Sequence, residues 1–103
     1  MTYTAPEDLP DISALRAQID RLDCDILDRL ALRQAHVDRA AQLKTGTAMN
    51  ANVPARVEEV LANVHAKAQA AGFDADVAVE MWRLMIDAMI AREQRAMNEG
   101  DAP

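Results

Sequence analysis

The sequence predicts an all-α fold, a three-helix chain with a long first helix. Three observations carry this. Aromatic residues make up only 3% of the 103 residues (Tyr3, Phe73 and Trp82), so the bulky residues that favour sheets are scarce. Alanine, the strongest helix former, occurs 21 times. Apolar residues recur at helical spacing along most of the chain.

Ile12, Leu15, Ile19, Leu22, Ile26, Leu30, Val37 and Ala41 follow one another at intervals of three, four and seven, the stripe of one amphipathic helix. Asp11 is its N-cap and Lys44 its end. The segment from Thr45 to Asn52 is rich in turn formers and has no period, so it reads as a loop. A second helix starts at Pro54, a residue favoured in a first turn. Its stripe is Val57, Val60, Leu61 and Val64, and it stops where Gly72, after Ala71, can take the left-handed conformation. The third helix is capped by Asp74 and runs through Val77, Trp82, Met85, Ile86, Met89 and Ile90 to about Asn98. The sequence reads as one domain over 1–103, ordered over about 9–98 with frayed ends. At about 1.5 Å per residue the first helix is about 50 Å long, far beyond the ~13 Å radius of gyration of a compact chain of this size. Its own chain cannot cover it, so a homodimer paired along that helix is expected.

The balance of 11 Lys+Arg against 17 Asp+Glu gives a formal charge of −6, which argues against nucleic acid as a partner. No run of about 18 apolar residues suggests a membrane span, and the opening MTYTAPEDLP has no signal-peptide character. A cytoplasmic protein is expected. Cys24, the single cysteine, is expected to be a small buried residue. His36 and His65 have no metal-ligand spacing, and no phosphate loop, dinucleotide turn or nucleophile elbow occurs, so neither metal nor cofactor is expected. Met81, Met85 and Met89 read as core filler.

Five charged residues stand out. Arg33 and Lys44, eleven residues apart, return to within about 20° of one face and about 16 Å along the axis. They can clamp a small dianion between them, or simply snorkel at the edge of the apolar stripe. Arg16 lies 28 residues before Lys44, about 42 Å along the helix, and can reach that pocket only from an antiparallel partner chain. Otherwise it pairs with Asp20 on the surface. Glu93 continues the stripe of Met89, Ile86 and Trp82. It either faces the core, where desolvation favours its neutral form, or leans into solvent at the helix end. Arg56, in the first turn of the second helix, is either an ordinary surface cation or a cation whose unfavourable place in the helix dipole is compensated by an anion.

The run Leu15-Arg16-Ala17-Gln18-Ile19-Asp20-Arg21-Leu22-Asp23, followed by Ile26-Leu27, Leu30, Arg33 and Lys44, strongly resembles the opening helix of the all-helical (type II) chorismate mutases, a family that includes the related isochorismate-pyruvate lyases. The similarity extends over about 9–98, and the spacing of Arg33, Lys44 and Arg56 adds to it. The resemblance implies an intertwined homodimer with shared active sites and a Claisen rearrangement of chorismate to prephenate, without metal or covalent intermediate. By the same resemblance, Arg16 of one chain and Arg33 of the other hold the substrate carboxylates. Lys44 donates to the ether oxygen, which gains charge in the transition state, and Arg56 adds a cationic contact.

Two departures matter. Many members have a glutamine as second donor to the ether oxygen, whereas here Glu93 stands at that place with Gln94 beside it, and a glutamate donates only when protonated. Acidic groups that grip the ring hydroxyl in typical members are matched here by Val53 and Val57, unless Glu58 or Glu59 takes that role. The leading expectation is a chorismate mutase of the shikimate route to aromatic amino acids. The alternatives are an isochorismate-pyruvate lyase of salicylate or siderophore synthesis, and a non-catalytic helical dimerisation module.

Overall fold

The computed structural model describes residues 2–101, with side chains through residue 98. The element order is a short 3-10 turn at Pro6–Asp8, then α1 (Ile12–Lys44), α2 (Pro54–Ala71) and α3 (Ala75–Asp101), with no strand among the described residues. The chain divides into two compact units, residues 1–35 and 36–103.

In the first unit, Asp11 caps α1: its Oδ1 accepts a hydrogen bond from the Ala14 amide at 2.7 Å, satisfying one of the unpaired N–H groups of the first turn. The segment before α1, expected to fray, is instead tied to the helix. The Thr4 amide donates to Gln18 Oε1 at 3.0 Å and Gln18 Nε2 donates to the Thr4 carbonyl at 2.8 Å. Tyr3 donates its hydroxyl to Asp25, and the Arg21 guanidinium lies 5.3 Å from the Tyr3 ring centroid, a cation–π distance. Gln18 is buried by this arrangement, and its amide meets both backbone groups of Thr4, which is why a polar residue is tolerated there. Along the apolar stripe Ile12, Ile19, Leu22 and Ile26 remain exposed, Ile12 at 59%. Cys24 is also exposed; its neighbours in the described structure leave its face of the helix uncovered, contrary to the expectation of a buried thiol.

The second unit holds the end of α1, the loop and the α2–α3 hairpin. Lys44 ends α1, a favourable place for a cation next to unpaired carbonyls. The Thr45 hydroxyl donates to the Ala41 carbonyl at 2.7 Å and the Thr47 hydroxyl to the Lys44 carbonyl at 2.5 Å. Pro54 opens α2, and the Val53 carbonyl accepts from the amides of Arg56 at 2.9 Å and Val57 at 3.1 Å. Gly72 closes α2 at φ +76°. The Phe73 amide reaches the Ala68 carbonyl at 2.9 Å and the Gly72 amide the Gln69 carbonyl at 3.2 Å, the paired bonds of a Schellman ending. Asp74 Oδ1 then accepts from the amides of Asp76 at 3.1 Å and Val77 at 3.2 Å, so α3 starts at once and packs along α2. It continues to Asp101, past the end expected near Asn98 because Gly100 does not break it; Ala102 and Pro103, expected to fray, lie outside the described residues. Ala41, Ala51 and Met97 form a buried cluster with Ile90 against it.

Candidate active site

The centre of the second unit's chemistry is a buried ion pair. Glu93 is only 6% exposed, because α3 carries it one turn beyond Met89 on the face that also bears Ile86, Ile90 and Met97. Of the two orientations left open for it, the inward one is found. Lys44 Nζ lies 2.7 Å from Glu93 Oε1 and 3.4 Å from the Ala51 carbonyl, to which it donates. Oε1 is shut off from solvent, and despite the short approach of the ammonium it lacks a properly directed hydrogen bond among the described residues. Gln94 points elsewhere: it is exposed and donates to Asn98 Oδ1 at 2.8 Å. Glu93, not its neighbour, is therefore the inward group.

The structure brings Lys44 and Glu93 together although 49 residues separate them in sequence. It keeps Arg56 on the surface, where its guanidinium pairs with Glu59 one turn on. The anion that compensates this badly placed cation comes from its own helix. Glu58 is exposed as well, and Val53 and Val57 stand at the start of α2. In the first unit Arg16 is exposed and Arg33 half-buried, about 25 Å apart along a helix. The surface pair between Arg16 and Asp20 does not form among the described residues.

Two contacts have no counterpart in the sequence reading. One is the Ala51 carbonyl beside Lys44, a backbone group that no side-chain pattern reveals. The other joins Asp38 to Arg92: Nε donates to Oδ1 at 2.7 Å and a terminal nitrogen to Oδ2 at 3.0 Å. The hydrogen bonds from Arg92 hold the Asp38 carboxyl below the usual carboxylate range, against a smaller opposing effect of desolvation. Both residues line an open groove with Gln42, Thr45 and Arg95. Adjacent to Glu93 in sequence, Arg92 had only its charge as a signal.

Among the described residues no helix is long and apolar enough to cross a membrane, and no cluster of side chains is able to bind a metal ion. Comparison with curated proteins gives no match. The family model for chorismate mutase type II matches residues 15–94, a span that starts just before Arg16 and ends just after Glu93. With three helices, no strand among the described residues and that match over most of its length, the chain belongs to the type II chorismate mutase family.

Proposed function

We propose that this protein is a chorismate mutase, converting chorismate to prephenate by conformational and electrostatic catalysis. The observation that carries the reading is the buried Lys44–Glu93 pair. The rearrangement breaks a C–O bond and leaves negative charge on the ether oxygen. Lys44 donates to that oxygen, and Glu93, whose Oε1 lies 2.7 Å from the ammonium in the free protein, stands beside it as a second group that donates only when it carries a proton. Interactions that strengthen as charge develops lower the barrier, whereas those equal in both states do not.

The substrate's two carboxylates fall to Arg16 of one protomer and Arg33 of its partner, held in the compact shape from which the rearrangement proceeds. Arg56 joins them by exchanging Glu59 for substrate, a change open to it because both side chains are exposed. The exposed apolar side of α1, with Ile19, Leu22, Ile26 and Leu27, supports a homodimer in which the sites are shared. The rearrangement itself requires neither metal nor cofactor, and a cytoplasmic enzyme goes with this reading.

A second reading, isochorismate-pyruvate lyase, is favoured by one observation. The start of α2 presents Val53 and Val57, apolar side chains that cannot grip the ring hydroxyl. Both substrates are to be offered to the purified protein and the products identified. Prephenate from chorismate is the expected outcome; salicylate and pyruvate from isochorismate as the main products establish the second reading. Turnover of neither leaves a helical dimerisation module.

A further inference from the structure

We propose that Asp38 and Arg92 are positioning residues, a two-pronged clamp that sets the separation of Lys44 and Glu93 from outside the site. The inference rests on the mutase reading, since it concerns how the two donors to the ether oxygen are held.

The close helix packing of the second unit is between α2 and α3. The end of α1 meets α3 through side chains: Ala41 beside Met97 in the buried cluster, Lys44 on Glu93, and Asp38 on Arg92. Alanine against methionine leaves latitude, because a short smooth side chain and a flexible one set no register. The Lys44–Glu93 pair cannot define its own geometry either, since it must open to admit a substrate oxygen. The Asp38–Arg92 contact is of another kind. Two parallel N–H···O bonds of 2.7 and 3.0 Å fix angle as well as distance, which a planar guanidinium does and an ammonium cannot. Arg92 is the residue before Glu93, and Asp38 lies six residues before Lys44. Holding these two fixes the backbone from which both donors extend.

Exposure separates this role from a structural one. Both side chains are about two-fifths exposed, and ion pairs so placed add little to stability. Rate is far more sensitive, because a displacement of about 1 Å at reacting groups can cost about 100-fold. Removing the clamp should therefore slow the reaction and leave the fold nearly as stable as before.

The test compares the parent with Asp38→Asn, Arg92→Lys and the exchanged double variant carrying Asp38→Arg and Arg92→Asp, measuring kcat and KM for chorismate and the melting temperature of each. The expected result is a fall in kcat of about tenfold in each single variant, with KM within about twofold of the parent. Melting temperatures should stay close to the parent's, and the exchange should recover most of the lost kcat. A parent-like kcat in Asp38→Asn, a change confined to KM, a loss of rate that follows a loss of stability, or a double variant no better than the singles each overturn the clamp. A parent inactive on chorismate overturns the mutase reading and the clamp with it, whereas an active parent with unaffected variants overturns the clamp alone.

Discussion

Lys44 and Glu93 form a contact that, on the proposed reading, substrate must rearrange. The ammonium has the carboxylate and the Ala51 carbonyl as neighbours; in the proposed reaction an ether oxygen takes the place between the two side chains. Protonated, Glu93 becomes a donor. The expected pH profile of kcat/KM for the parent falls as pH rises and the proton is lost, while Glu93→Gln, which donates at every pH, flattens it. A flat parent profile would remove Glu93 from catalysis. Lys44→Ala should lower kcat by about 10² to 10³, measured at a temperature where circular dichroism shows the variant folded, since it also leaves the buried Glu93 without its partner. The spacing of Glu93 to Met89, Ile86 and Trp82 allowed an inward turn but left the solvent-facing one equally open. Its partner was not readable, because pairing between residues 49 positions apart depends on where a loop returns the chain. The same distance problem hid Asp38 and Arg92, whose charges look like ordinary surface residues until the helices are placed.

The helices themselves were readable because their ends are local chemistry. Asp11, Pro54, Gly72 and Asp74 each act through backbone groups within a few residues, so the sequence contains the whole interaction. Gly72→Ala tests one of them. At φ +76° a Cβ meets nothing within 4 Å, so the cost is the left-handed backbone alone, about 1 to 2 kcal/mol. Chemical denaturation should show a loss of that size with no change in fold; an unchanged midpoint would mean the helix end relaxes to another turn. The N-terminal segment escaped because its ties to Gln18 and Asp25 are made across a turn with no periodicity. The end of α1 offers a pH test of element-level stability. Because Arg92 holds the Asp38 carboxyl below its usual range, the pair contributes fully above the ordinary titration of a carboxylate and is lost as pH falls through the lowered value. Parent and Asp38→Asn should thus differ slightly in denaturation midpoint at neutral pH and converge in strong acid; a difference that persists there would place the effect in packing.

At the scale of the whole molecule, the described residues bury no large side chain completely, an unusual condition for a chain that is half apolar. Leu27 at 63% and Leu84 at 76% exposure join Ile12, Ile19 and Ile26 in presenting more apolar surface than a monomer of this size keeps in water. A second copy is the economical cover, and on the proposed reading it also completes the site. If each site takes Arg16 from one protomer and Lys44 from the other, Arg16→Ala and Lys44→Ala are each nearly inactive alone. Unfolded together and refolded as an equal mixture, half of the dimers are mixed, and each mixed dimer has one site with both residues intact and one with neither. About a quarter of the parent's sites should then be restored. Sites built within single chains would give no recovery at any mixing ratio, because no refolded chain would carry both residues. The recovery should also vanish on dilution below the dimer dissociation constant, in step with loss of the dimer in sedimentation, since folding, assembly and turnover would then depend on the same apolar face of α1.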